Sequence, residues 1–225
     1  MVEPFIHDKR KEFQLERMIL FSDAVFAIAI TLLVIELKVP EIPAPVTEDK
    51  VINSLAVIFP KFIGFLVSFF IIGLYWTVHH KLYGFVTGYT QKLLWINLFF
   101  LLGIILMPFS TSFYSEYIFY YLKTPVIFYT LNICFLGMMN FILWKYISNS
   151  KNNISISFPP VLAGYYSFRA LAVPIIFLIM LVAYLFVPKY AIAIPPLIPF
   201  IMWIISRFYK KKLKLNPILK SSVKK

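Results

Sequence analysis

Apolar and polar positions alternate along this chain in long blocks. Six apolar blocks approach or exceed the roughly 20 residues that a helix needs to cross about 30 Å of hydrocarbon. We expect transmembrane helices at 18–37, 52–78, 93–114, 124–146, 170–188 and 190–207. The pattern therefore predicts an all-α membrane protein with one six-helix transmembrane domain over 18–207. A short N-terminal segment, 1–17, precedes this domain, and a basic tail, 208–225, follows it.

The composition supports lipid as the main solvent of the chain. Of the 225 residues, 60% are hydrophobic and 14% are charged, and the mean hydropathy of +0.81 is far above that of an ordinary soluble domain. The first span is too long for the core of a signal peptide, and no small-residue cleavage site follows it, so we expect it to be retained. The single cysteine, Cys134, lies within a span, which excludes an intramolecular disulfide and a cysteine metal cluster.

Basic residues are unevenly distributed between the two sides of the predicted domain. Of the 22 Lys and Arg, 17 fall on the side of the two termini and five on the other. The positive-inside rule then places both termini in the cytoplasm and the loop at 38–51 outside the cell, for a multi-pass protein of the plasma membrane. Because the basic residues cluster at the ends of apolar spans, the net charge of +12 does not predict nucleic-acid binding.

The first span carries an ionisable residue, Asp23, inside an apolar helix. Such residues are costly in a membrane, and they usually face the protein interior or water and have a partner. On a helical wheel with Asp23 at zero, one face between about 80° and 180° is almost entirely apolar. The residues on that face are Ile28, Thr31, Leu32 and Ile35. Asp23 and Ser22 lie away from its centre, so the helix combines an apolar stripe with a polar anchor.

The motif Arg17-x-x-x-Phe21-Ser22-Asp23 resembles the signature of the endosomal and lysosomal potassium channel family, transmembrane protein 175. Further similarity lies in Trp76-x-x-His79-His80, in Trp95-Ile96-Asn97 and in Pro108-Phe109-Ser110-Thr111. These motifs cover about the first half of the chain, and spans four to six agree in hydropathy and length only. Since Phe-Ser-Asp occurs once, the resemblance is to the single-repeat bacterial branch of the family.

The resemblance implies a potassium-permeable cation channel in the lipid bilayer, with weak to moderate selectivity for potassium ions. Four first helices would surround the pore, so it also implies a homotetramer. It assigns the narrowest hydrophobic constriction to Ile28, places Thr31 one turn outward, and continues the pore wall with Leu32 and Ile35. It implies no cofactor, metal ion or catalytic residue. Two alternatives remain: the apolar residues pack against neighbouring helices, and the Thr31 hydroxyl bonds back to the carbonyl four residues earlier.

The predicted topology gathers a set of polar and aromatic residues near the cytoplasmic ends of the first three spans. The set is Arg17, Phe21, Ser22, Asp23, Trp76, His79, His80 and Asn97. We expect hydrogen bonds within this structural polar network to satisfy the carboxylate and to lock the pore helix against its neighbours. In the alternative interpretation, the two histidines lie at the membrane interface without partners and Trp76 is an ordinary interfacial aromatic.

Other functional classes fit the sequence less well. Adjacent histidines on a helix point about 100° apart and cannot easily hold one metal ion, and neither a nucleophile elbow nor a glycine-rich phosphate loop occurs, so we expect no enzyme. The absence of a Thr-Val-Gly-Tyr-Gly filter and of an arginine ladder excludes a conventional potassium channel. A proton-coupled secondary transporter using Asp23 is the alternative function. The missing inverted repeat and a first span without Gly or Pro breaks argue against it.

Overall fold

The long apolar blocks of the sequence become long helices in the structure, a computed structural model that describes residues 3–117, 120–155 and 160–214. Within these ranges the chain is helical, with two short 3₁₀ turns and no β-sheet, which confirms the predicted all-α fold. The helices are α1 (Glu3–Ile35), α2 (Glu48–Tyr83), α3 (Gln91–Ile105), α4 (Met107–Tyr117), α5 (Lys123–Ile147), α6 (Pro160–Phe186), α7 (Pro188–Ala191) and α8 (Ile198–Lys214).

Five helical segments of the described chain are long and apolar enough to cross a membrane. They are Arg10–Ile35, Glu48–Tyr83, Gln91–Tyr117, Lys123–Ile147 and Gly164–Phe186. The sixth predicted span, 190–207, is not one continuous helix: its apolar part is shorter and is divided into α7, the 3₁₀ turn Pro195–Leu197 and α8. Prolines 188, 195, 196 and 199 explain the interruption, because each lacks a backbone N–H donor.

The terminal segments extend the membrane helices. Helix α1 begins at Glu3, so the predicted segment 1–17 is helical from that residue onward. The predicted tail is helical up to Lys214 as the end of α8, and its remainder, 215–225, lies outside the described residues.

Prolines within the other spans have different effects. The third span is divided at Leu106 into α3 and α4, and Pro108 occupies the first turn of α4, where its missing N–H is tolerated. Pro60 and Pro174 lie inside α2 and α6 without ending them. The Pro174 ring fills the space in which a Cβ at Gly137 would lie, so the absence of a side chain there allows α5 and α6 to pack closely.

The core lies mainly between α3, α4, α5 and α6. Helix α5 contacts α3, α4 and α6, and its Leu136 and Trp144 are fully buried. Helix α1 contacts α2, α3 and α4. It therefore packs at the edge of the bundle.

Contacts between loops and helix ends show that successive spans run in opposite directions. The loop after α2 and the loop after α5 meet where Thr87 N–H donates to the carbonyl of Ile154 at 2.8 Å. At the opposite end of the bundle, Ser112 donates to Glu36 at 2.7 Å, and Lys61 forms an ion pair with Glu116. The ends of α1 and α4 thus lie together, on the side opposite to the loops that follow α2 and α5.

Candidate functional site

Helix α1 has two faces with different surroundings. One face packs on the bundle, where Phe26 and Leu33 are 1% and 2% exposed. On the other, Ile28, Leu32 and Ile35 are 58%, 41% and 67% exposed. In a membrane protein, a continuous apolar face of this kind contacts either lipid or another protein chain. The residues assigned to the constriction are therefore largely uncovered by the rest of their own chain.

Thr31 and Phe21 lie on or beside the same exposed face. The Thr31 hydroxyl donates to the carbonyl of Ile28 at 2.8 Å, so the back-bond reaches three residues toward the N-terminus rather than four. Phe21 is 52% exposed and lies about two turns from Ile28 along the helix. It extends the apolar face and is not part of the hydrogen-bonded network.

A buried chain of hydrogen bonds joins α1, α2 and α3. Asn97 donates from Nδ2 to Ser22 Oγ at 2.9 Å, and its Oδ1 lies 2.9 Å from His79 Nε2. Ser22 Oγ in turn donates to the carbonyl of Met18 at 2.8 Å. Because an amide oxygen can only accept, these contacts assign the proton of His79 to Nε2. The chain of donors then runs in one direction, from α2 through α3 to α1.

Aromatic rings hold His79 in this orientation. Its ring is stacked on Phe100 of α3, with the centroids 5.5 Å apart, and it lies 4.3 Å from the Tyr83 ring of α2. Phe26 of α1 approaches from a third direction at 5.5 Å. The buried histidine is thus fixed by packing as well as by its hydrogen bond.

Asp23 forms a separate link between α1 and α2. The Trp76 indole Nε1 donates to Asp23 Oδ1 at 2.9 Å. The exposed His80 ring lies 5.9 Å from the Trp76 ring. Ser22 and Asp23, although adjacent in sequence, therefore bind different helices through different donors.

Arg17 is the polar residue that the structure does not bring into this set. Its guanidinium lies 5.7 Å from the centroid of the Phe13 ring, and it forms no ion pair with Asp23 in the described part of the chain. The geometry thus divides the eight predicted residues into three groups. The first is Ser22, His79 and Asn97, the second is Asp23, Trp76 and His80, and the third, outside both, is Arg17 and Phe21.

A second buried polar chain was not predicted from the sequence. Thr111 Oγ1 lies 2.7 Å from Ser68 Oγ, which lies 2.9 Å from the hydroxyl of Tyr129. These contacts join α2, α4 and α5, and all three side chains are at most 5% exposed. The available signal was the presence of hydroxyl residues in three spans, each of which has more than one such residue. Membrane-helix hydroxyls often bond to their own helix, as Thr111 also does to the carbonyl of Met107.

The polar side chains of this site contact one another across helices. Within the described ranges, no cluster of three or more His, Cys, Asp or Glu side chains could hold a metal ion. The histidine, amide, hydroxyl and carboxylate groups are instead bound to one another across helices. Such bonds contribute about 0.6 to 1.7 kcal/mol each in membrane proteins and fix the positions of the helices that they join.

The Asp23 to Trp76 bond can be tested with a pair of substitutions. Asp23→Asn keeps an oxygen that accepts from the indole, and we expect near-wild-type stability. Asp23→Ala leaves the indole N–H without this acceptor and should lower the melting temperature by about 2–4 °C, the effect of ~1 kcal/mol in a domain of this size. Thermal unfolding in detergent measures both, with Glu41→Ala at an exposed loop position as the control. Normal stability of Asp23→Ala with altered cation selectivity would instead place Asp23 in the ion pathway.

Fold and site together define a multi-pass helical membrane protein whose first helix is anchored by polar bonds and leaves an apolar face uncovered. Residues 17–108 match the family model described as endosomal/lysosomal potassium channel TMEM175. This stretch contains both links that anchor α1. The match confirms, over these residues, the resemblance predicted from the motifs.

Individual relatives align over the same part of the chain. The chain is 36% identical over 98 residues to a potassium channel of Streptomyces collinus and 41% identical over 96 residues to a potassium channel of a Chryseobacterium species. These alignments cover 44% and 43% of this chain and 46% of each relative, so the match spans about half the length of these proteins. The human endosomal/lysosomal proton channel TMEM175 is 33% identical over 101 residues, which are 43% of this chain and 20% of that protein.

Solved structures extend the likeness of fold to the C-terminal half. The crystal structure of a lysosomal potassium-selective channel TMEM175 homolog from Chamaesiphon minutus aligns with a TM-score of 0.71 at 23% identity, covering 85% of this chain and 97% of the other. The potassium channel MtTMEM175, in complex with a nanobody fusion, aligns with a TM-score of 0.55 at 18% identity, covering 89% and 94%. All these proteins are named as channels, in agreement with the prediction that the chain is not an enzyme.

Proposed function

We propose that this chain is the subunit of a homotetrameric, potassium-permeable cation channel whose pore is lined by α1. The observation that carries the proposal is the exposed apolar face of α1 on a helix whose other face is anchored by buried hydrogen bonds. Cyclic assembly of four copies would bring four such faces around one axis. The names of the bacterial relatives, which align over the same helices, support potassium as the permeant ion.

In this channel the barrier to conduction is hydrophobic. A ring of four Ile28 side chains offers an ion no atoms to replace its hydration shell, so a narrow ring excludes water and blocks current. Slight widening admits a partly hydrated ion. Potassium passes more readily than sodium because it sheds water at lower cost. Leu32 and Ile35 continue the wall. The Thr31 oxygen, whose hydrogen is donated to the Ile28 carbonyl, retains lone pairs that a cation or water can use.

The hydrogen bonds between helices set the position of this barrier. The side chains of Asn97 and Trp76 join α1 to α3 and α2, and both bonds lie within two turns of Ile28 along α1. Movement of α1 relative to the bundle would break both bonds, and at Asn97 and Ser22 it would leave buried polar groups with fewer partners. The diameter of the constriction therefore depends on whether these two hydrogen bonds are intact.

Single-channel recording tests the proposed function directly. Purified protein in planar bilayers should give unitary current steps whose reversal potential, under opposed potassium and sodium gradients, is shifted from zero toward the potassium equilibrium potential. The native mass should be about four times the 26.3 kDa of the chain. Saturable uptake without unitary steps would favour the proton-coupled transporter, and full activity of a dimer would exclude a central four-fold pore.

The proposed orientation places both termini, with segments 1–17 and 208–225, in the cytoplasm and the pore domain, 18–207, in the plasma membrane. In a Cys134→Ala background, a cysteine at Thr47 should react with an impermeant maleimide on intact cells. A cysteine at Lys151, equally exposed but in the loop after α5, should react only after permeabilisation. The opposite labelling pattern would invert the topology.

A further inference from the structure

An apolar groove of about 800 Å³ lies between α2 and the C-terminal segment of the chain. Phe69, Phe70 and Leu74 of α2 form one wall, and Pro199 and Trp203 of α8 lie on the other. The α2 residues that line it run from position 63 to position 77, which corresponds to roughly 21 Å along the helix axis. The groove is therefore long enough to hold an extended hydrocarbon chain.

The groove lies away from the proposed pore. Ile30 is the α1 residue in its lining, and it is about 160° around the helix from Ile28. If the Ile28 face points to the centre of a tetramer, the groove faces outward to the membrane, so this orientation rests on the proposed function. Hydrocarbon chains of lipid are then the molecules available to fill it.

One end of the groove contains a cation that has no anionic partner among the described residues. Arg169 of α6 lines this end, and it lies five residues, or roughly 7 Å, inside the apolar segment that begins at Gly164. Its Nη1 donates to the hydroxyl of Tyr165 at 3.3 Å, and its Nε is buried without a hydrogen-bond partner. Among the described residues that line the groove there is no carboxylate. An arginine at this depth is costly unless an anion or water satisfies it.

We propose that the groove binds one anionic phospholipid, with an acyl chain along the α2 and α8 walls and the phosphate at Arg169. The planar guanidinium matches phosphate oxygens in a bidentate manner, which a neutral phenol does not reproduce. Ser206, which accepts from the Tyr165 hydroxyl at 3.3 Å, adds a hydroxyl at the same end. Trp76 and Trp203 also line the groove, and their amphipathic rings suit the boundary between acyl chain and headgroup.

Occupation of this site would stabilise the anchor of the pore helix. Trp76 lines the groove and donates its indole N–H to Asp23 of α1. A lipid packed against Trp76 restricts the ring that holds α1. The site is therefore placed to couple the lipid composition of the membrane to the position of the first helix.

Lipid binding can be measured by native mass spectrometry of the assembled protein with added phosphatidylglycerol or phosphatidylcholine. The wild type should retain phosphatidylglycerol on the order of tenfold more strongly. Arg169→Gln should abolish this preference. Lys145→Gln, which removes an exposed cation on the same side of the bundle, should leave it unchanged.

A second variant tests binding of the acyl chain in the groove, separately from binding of the phosphate at Arg169. A Cβ added at Gly73, which lines the groove, meets no neighbouring atom, so Gly73→Leu should fold and fill the groove. It should reduce retention of both lipids. Gly164→Leu, where an added Cβ also meets no atom, is the control outside the groove.

Three results would overturn the proposal. One is an unchanged preference for phosphatidylglycerol in Arg169→Gln. Another is unaltered lipid retention in an intact Gly73→Leu oligomer. Dissociation of the Gly73→Leu oligomer would make the groove a contact between subunits and would equally overturn the proposal. Because lipid retention is measured on the assembled protein without recording current, failure of this proposal would be distinguishable from failure of the proposed channel activity.

Discussion

Replacement of Ile28 by Asn is expected to increase basal current about tenfold, which corresponds to a barrier lower by ~1.4 kcal/mol. Asparagine has as many side-chain heavy atoms as isoleucine, but its smaller amide supplies donors and acceptors that keep the constriction hydrated. The potassium to sodium preference should fall toward unity, because ions then cross with more of their hydration shell. Bilayer recordings under opposed potassium and sodium gradients measure both quantities.

Val34→Asn is the matched control for this substitution. Val34 is 53% exposed, close to the 58% of Ile28, but it lies about 120° around the same helix. It should leave conductance and selectivity near wild-type values. Unchanged current in both Ile28→Asn and Leu32→Asn, with the tetramer intact, would identify the exposed stripe as a packing surface.

Asn97→Leu should produce the largest loss of stability among the substitutions considered. It removes two interhelical hydrogen bonds and leaves His79 buried without its amide acceptor, whereas Ser22 keeps its bond to the Met18 carbonyl. An unsatisfied buried group costs about 1–3 kcal/mol, and the melting temperature should fall by roughly 2–4 °C for each kcal/mol lost.

Thermal unfolding of the purified oligomer, followed by size-exclusion chromatography, measures this effect. Gln91→Leu makes the same kind of amide-to-leucine change at an exposed position on the same helix and should have little effect. Ser22→Ala should be milder than Asn97→Leu, because His79 retains its partner. Equal stability of Asn97→Leu and Gln91→Leu would show that the buried chain does not anchor α1.

Hydropathy was sufficient to predict five of the spans and the fold class. Span length follows from the thickness of the hydrocarbon, which any apolar block of about 20 residues satisfies. It could not place the ends of α1, because polar helix-forming residues from Glu3 onward continue the same helix beyond the apolar block. It also gave no direct sign that the sixth span would divide at its prolines into α7, a 3₁₀ turn and α8.

The residues of the candidate site could be predicted where they belong to a sequence motif. The pairs that they form could be predicted less well, because pairing depends on how the helices are rotated about their axes. Asp23 was expected to need a partner on physical grounds, but the choice of Trp76 rather than Arg17 depends on how α1 and α2 are turned toward each other. The same limit applies to Ser68 and Tyr129, which are 61 residues apart in sequence. The groove beside Arg169 required the packing of α2 against the C-terminal segment, which no local pattern encodes.

Cysteine accessibility along α1 tests the central claim, that its exposed stripe lines an ion pathway, most directly. In a Cys134→Ala background, Leu32→Cys and Val34→Cys place thiols at similarly exposed positions, 41% and 53%, about 160° apart on one helix. Silver ions, which enter a cation pathway and bind thiolates, should block potassium current through Leu32→Cys and leave Val34→Cys unaffected. Block of Val34→Cys with Leu32→Cys unaffected would contradict the claim, because the pathway would then follow the other face of α1.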